Sequence, residues 1–258
     1  MGQTAQGSTG TGPRTPVRVE NGRKRVRAYL DGHLVADTVR PLLVWERPYY
    51  PTYYIPLADV RARLVPTGRT HDSPGRGTAE VLDVVVGDRT APGAARHYRE
   101  SPVVELRDAV RIDWDAMSEW LEEDEPVYVH PRDPYTRVDI LASSRHVRIE
   151  LDGVTLADSR RPHVLFETGL PPRYYLPMSD VRMDLLRPSE HRTACPYKGT
   201  ASYWSVEVNG RTYENLAWTY RTPLPESQKI AGLVCFYDEK VDVYVDGVRQ
   251  ERPRTPFS

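Results

Sequence analysis

Between His191 and Trp204 the chain reads "HRTACPYKGTASYW", which places an imidazole, a thiol, two phenols, an amine and an indole in one short stretch. Cys195 with His191 four residues away suggests either a thiolate and its base or half of a metal site. Lys198 offers a cation for a ligand carboxylate or phosphate, or an amine nucleophile in a dry pocket. Glu226, in "TPLPESQKI", and Glu167, in "LFETGLPP", offer carboxylates as acid, base or cation partner. Tyr175, Tyr197, Tyr203, Trp204, Trp218 and Tyr220 supply rings that could wall a slot for a planar or cationic molecule.

Each of these groups also has a plainer reading. Cys195 and His191 lack the second pair that closes a tetrahedral zinc site, so no metal and no cofactor are expected. Pro196 and Gly199 suit a loop entering a strand. Any one ring serves a hydrophobic core as readily as a ligand. On a strand Tyr203 and Trp204 point to opposite faces, so at most one of them lines a given pocket.

The elements that position these residues come from a duplication. "VRAYLDGHLVADTVRP" from Val26 matches "VRIELDGVTLADSRRP" from Val147, and the register continues through Glu46 and Glu167, Tyr53-Tyr54 and Tyr174-Tyr175, and Asp59 and Asp180. After a one-residue slip "SPGRGTAEVLDV" from Ser73 falls on "CPYKGTASYWSV" from Cys195. Two copies of one fold follow, with a tail over 1–20, a first domain over 21–130, a linker over 131–144 and a second domain over 145–258.

Within each copy, "VRAYL", "VRIEL" and "VDVYV" alternate with period two, and Asp31-Gly32, Asp152-Gly153, Asn209-Gly210 and Asp246-Gly247 are two-residue hairpin turns. An antiparallel, mainly β architecture is expected, with short helices beginning near Pro56 and Pro177. Trp114, Met117 and Leu121 form an apolar stripe that predicts a longer helix in "DWDAMSEWLEEDE", an insertion of about half a dozen residues relative to copy two.

Composition limits the function classes. The 35 basic residues balance 36 acidic ones, so nucleic acid is not an expected partner. No apolar run approaches the roughly 18 to 20 residues of a membrane helix, and a cytoplasmic, non-membrane protein is expected. Two cysteines, Cys195 and Cys235, are too few for a disulfide framework.

"HPRDPYTRVDILASSRHVRIELDGV", "YYLPMSDV", "CPYKGTASYWSV", "AWTYRTPLPE" and "FYDEKVDVYVDG" together resemble the bacterial family called domain of unknown function 427, in its tandem form. The resemblance implies two β-tent domains of antiparallel hairpins, an outline shared with zinc-binding Mss4-like proteins, methionine-R-sulfoxide reductases and the drug-binding domain of cereblon. The family carries no established activity, although it has been labelled nucleotidyltransferase-like. The paired Cys-x-x-Cys knuckles of many β-tent relatives are absent here.

The copies differ where the rings stand. Copy one has Gly75 for Tyr197, Val81 for Tyr203, Leu82 for Trp204 and Arg96 for Trp218. The sequence therefore points to copy two as a noncatalytic module that encloses a small planar or cationic molecule between Tyr197, Trp218 and Tyr220, with Tyr175 nearby and Lys198 and Glu226 orienting it. An enzyme acting on a nucleotide or small acyl compound through the Cys-Pro-Tyr-Lys-Gly loop is the first alternative. A scaffold that docks a partner on the copy-one helix is the second.

Overall fold

The computed structural model describes residues 17–255. Its contacts divide the chain into two units, Met1–Pro131 and Arg132–Ser258. Unit 1 contains β1 (Arg18–Asn21), β2 (Val26–Leu30), β3 (His33–Thr38), β4 (Leu42–Trp45), β5 (Thr52–Pro56), β6 (Arg63–Ser73), β7 (Gly77–Val86), β8 (Arg89–His97), β9 (Ala109–Ile112), β10 (Glu119–Glu122) and β11 (Glu125–Pro126). They form a seven-stranded sheet, β1-β4-β5-β9-β8-β7-β6, and a four-stranded one, β11-β10-β2-β3. Unit 2 contains β12 (Val138–Ala142), β13 (Val147–Leu151), β14 (Val154–Ser159), β15 (His163–Glu167), β16 (Arg173–Tyr175), β17 (Leu186–Cys195), β18 (Gly199–Val208), β19 (Arg211–Tyr220), β20 (Val234–Phe236), β21 (Asp242–Val245) and β22 (Val248–Arg249). Here the large sheet is divided into β12-β15-β16 and β17-β18-β19-β20, which meet at the Leu176–Val234 bridge. The small sheet is β14-β13-β21-β22. Among the described residues every pair of named strands is antiparallel, the mainly β architecture expected from the alternating patterns.

Period-two patterning explains the layers. Val147, Ile149 and Leu151 of β13 face inward while Arg148 and Glu150 are only partly covered, so one side of the small sheet joins the core. The large sheet is covered on both faces. In unit 2 Leu176, Val206 and Phe236 pack with β13, whereas Tyr175, Tyr203, Trp218 and Tyr220 form a second cluster. Unit 1 repeats this with Ile55, Leu82 and Val110 in one cluster and Tyr54 and Tyr98 in another.

Asp31-Gly32, Asp152-Gly153, Asn209-Gly210 and Asp246-Gly247 each close a hairpin with positive φ at both positions, for example 49° at Asp31 and 80° at Gly32. The helices near Pro56 and Pro177 are single 3-10 turns, Leu57–Asp59 and Met178–Asp180. Their aspartates are fastened identically: Thr38 Oγ1 donates to Asp59 and Ser159 Oγ donates to Asp180, both at 2.8 Å.

Three expectations are corrected. The helix over "DWDAMSEWLEEDE" is a 3-10 turn, Trp114–Ala116, followed by β10. The edge of β2 captures this segment and turns Trp120, 3% exposed, into the core opposite Ala28. Residues 113–118 match 237–241 of unit 2, so the difference in length is a single residue and the docking helix of the scaffold reading does not form. Within the expected linker, Val138–Ala142 is a strand paired with β15. Of the expected tail, Arg18–Glu20 belongs to a strand paired with β4, and residues 1–16 lie outside the described residues. Among the described residues no helix is long and apolar enough to cross a membrane.

Candidate functional site

The aromatic residues singled out in copy two do come together, but they fill the space between them. Tyr203 of β18 stands directly across from Trp218 of β19, and Trp218 across from Cys235 of β20. The Trp218 ring lies 4.7 Å from Tyr237 and 6.4 Å from both Tyr175 and Tyr203, and its Nε1–H donates to the Tyr175 hydroxyl at 3.1 Å. Trp218 is 7% exposed, Tyr220 5% and Tyr175 1%. These rings are a core, and the expected open slot between Tyr197, Trp218 and Tyr220 is corrected accordingly.

The other expected contacts also have internal partners or separate places. Lys198 Nζ donates to Glu167 at 2.5 Å, repeating the Arg76–Glu46 ion pair of unit 1. An arginine in the same place points to a shared electrostatic role. Glu226 is exposed in the 3-10 turn Pro225–Ile230. Tyr197 is half-buried and accepts the Asp133 N–H at 2.7 Å, so it pins the first turn of unit 2. His191 lies in the irregular stretch of β17 between Pro188 and Arg192, whereas Cys195 pairs with Gly199 at the end of that strand, and no hydrogen bond joins the two side chains among the described residues. His191 instead meets the Tyr203 ring edge-on at 4.6 Å, and Trp204 packs against the opposite core from Tyr203.

Beneath Trp218 lies a residue whose role the sequence alone does not announce. Arg173 of β16 places its guanidinium 5.8 Å from the Trp218 ring and donates to both oxygens of Glu239, at 2.8 and 2.5 Å. Asp238 stands 3.8 Å away. Burial opposes the charge on Arg173, but the Glu239 hydrogen bonds and the surrounding acidic groups, Asp238 among them, together outweigh it and hold the guanidinium pKa above its ordinary value. Burial likewise raises Asp238, which Arg173 offsets only in part, so that carboxyl is pushed up to about 7.

Unit 1 treats the same position differently. Thr52 on β5 faces Val44 just as Arg173 on β16 faces Leu165, which fixes the correspondence. Asp113 N–H donates to Ala94 O and Ala116 N–H to Asp113 O; Tyr237 and Lys240 make the matching bonds to Leu216 and Tyr237. Asp113, Trp114 and Asp115 therefore take the places of Tyr237, Asp238 and Glu239.

With threonine in place of arginine, a cleft of about 530 Å³ is open. Thr52 and Tyr53 of β5, Arg111 of β9 and Trp120 of β10 form its base, while Trp114 and Asp115 come from the 3-10 turn. The Trp114 and Trp120 rings stack at 4.8 Å with an interplanar angle of 3°, and Trp120 Nε1–H donates to Trp114 O at 3.0 Å. Tyr50 and His130 stack at 3.7 Å on another part of the wall. Tyr53 donates to the buried Glu122 at 2.6 Å, which Lys24 meets from the other side at 2.5 Å.

Charge in the cleft is largely spent internally. Arg111 pairs with Glu46 at 3.2 Å and with Asp113, and from behind the wall Arg76 reaches Glu46 while Arg96 stands 3.7 Å from Asp113. Asp115 and Arg47 line the cleft without an ion pair among the described residues, Arg47 donating to the Tyr50 hydroxyl at 3.3 Å. The site can thus stack a flat group on indole and meet it with a carboxylate. The Arg-to-Thr exchange between Arg173 and Thr52 was the sequence signal for this cleft, present in the same register as the matched tyrosines.

Two copies of an antiparallel unit, each with the same Asp-anchored 3-10 turn and the same half-buried Glu–cation pair, define a duplicated mainly β protein. The chain belongs to the family described as domain of unknown function (DUF427), whose profile matches residues 18–123 and 139–247, one copy each. No curated protein matches the chain.

Proposed function

We propose that the protein is a noncatalytic small-molecule-binding module whose site is the unit 1 cleft. The observation that carries this reading is the internal contrast: the position that unit 2 fills with Arg173 holds Thr52 in unit 1 and opens onto a cleft of about 530 Å³. That volume lies within the range typical of small-ligand sites, and rings with a few directed polar groups are the usual lining. Binding rests on aromatic contact with Trp114 and on the cleft's polar edges. The unpaired Cys195 and Cys235 suit a cytoplasmic protein.

The experiment is a small-molecule screen by ligand-observed NMR on the full chain, with Thr52→Arg as the closed-cleft control. Ligands whose signals respond to the wild type and not to the variant support the reading. A screen in which every binder is indifferent to the variant, with its fold verified by circular dichroism, removes it.

A further inference from the structure

The geometry points to a guanidinium group as the chemistry the unit 1 cleft receives, an inference that rests on the cleft being a binding site. Unit 2 displays a guanidinium bound at the corresponding position: Arg173 sits over the Trp218 ring at 5.8 Å with both Glu239 oxygens as acceptors. Its side chain is 10% exposed, and Glu239's is 1% exposed, so the fold accommodates a planar cation here out of water. A planar, weakly hydrated cation with a fork of N–H donors suits a carboxylate on one side and a ring on the other.

Unit 1 keeps the carboxylate at its place, supplies a ring from a different place and omits the arginine. Asp115 occupies the Glu239 position and has no ion pair among the described residues, while Trp114 supplies an indole where unit 2 has Asp238. Of the three carboxylates in the lining, Glu46 is paired with Arg76 and Arg111, and Asp113 with Arg111 and Arg96, whereas Asp115 has no ion pair among the described residues. Arg111 is committed to Glu46 and Asp113, so the carboxylate left for a ligand is Asp115. Arg96, which replaces the Trp218 ring, is drawn toward Asp113 and does not line the cleft. A free guanidino compound, or an arginine side chain presented by a peptide, then stands where Arg173 stands in unit 2.

The test is isothermal titration of the full chain with L-arginine, L-citrulline and L-lysine, and with an acetylated, amidated arginine tripeptide to separate the two sources. Citrulline keeps the length and planarity of arginine but is neutral; lysine keeps the charge but is not planar. L-arginine or the tripeptide is expected to bind, citrulline and lysine about tenfold or more weakly, and binding to be lost in Thr52→Arg and weakened in Asp115→Asn. Should Thr52→Arg misfold, the exposed Asp115→Asn carries the comparison. Equal binding of citrulline and arginine, or no binding of either arginine probe, overturns the guanidinium assignment. Neutral binders excluded by Thr52→Arg would leave the cleft as a binding site for other chemistry, whereas arginine binding indifferent to both variants overturns the location as well.

Discussion

The guanidinium of Arg173 is shared between Glu239, through two hydrogen bonds, and the ring of Trp218, and it fills in unit 2 the position that Thr52 leaves open in unit 1. Removing one partner of a buried ion pair leaves the other uncompensated. Arg173→Ala is therefore expected to lower stability by about 3–5 kcal/mol in urea denaturation. Adding Glu239→Gln to that variant should recover part of the loss. A cost near that of an exposed salt bridge, below about 1 kcal/mol, would contradict the assignment.

The space left by that substitution allows a second experiment. Methylguanidinium at millimolar concentration should restore part of the thermal stability of Arg173→Ala in a saturable way, because a ligand that binds only the folded chain shifts the unfolding equilibrium. Methylurea, flat but neutral, should not. Equal effects of the two compounds would show that the position does not select a cation.

Asp238 sets a pH dependence of definite sign. Its folded pKa, about 7, lies above the ordinary 3.8, so the native state holds this proton over a range in which the unfolded chain has released it. The stabilisation is complete below about pH 4 and is lost as pH rises through about 7, at roughly 1.4 kcal/mol for each pH unit crossed between the two values. Asp238→Asn should flatten this part of the stability profile and be more stable than the wild type above pH 7. An unchanged slope in the variant, measured by urea denaturation at pH 4 to 8, counts against the burial argument.

Trp218 should behave as a core residue. Trp218→Ala removes a ring packed against Tyr237 and strands the Tyr175 hydroxyl, and is expected to cost about 3–5 kcal/mol. Trp114 is only partly buried, so Trp114→Ala should cost clearly less while reducing binding in the cleft. Equal destabilisation by the two changes would contradict the division between core and site.

Much of the fold is legible in the sequence because local rules and the duplication agree. Asp-Gly and Asn-Gly turns need positive φ, inward residues of β2 and β13 recur every second position, and Asp59 and Asp180 have the same hydroxyl partner two strands away. The segment after Asp113 misleads because Trp114, Met117 and Leu121 have helical spacing, although the backbone partner waiting on β2 decides in favour of a strand. The site is harder to see for a related reason. Extra rings in copy two look like pocket walls, yet long-range pairing of β18, β19 and β20 closes them on one another. What opens a cleft is the small residue, Thr52, and its meaning depends on knowing that Arg173 occupies the equivalent space.

The most direct test follows the Trp114 indole N–H by NMR in the full chain, assigned with Trp114→Phe, while L-arginine, adenosine and L-tryptophan are added in turn. A site in the unit 1 cleft predicts that at least one of these compounds shifts the Trp114 signal saturably and that Thr52→Arg abolishes the shift. A Trp114 signal unmoved by all three, or moved equally in folded Thr52→Arg, contradicts it.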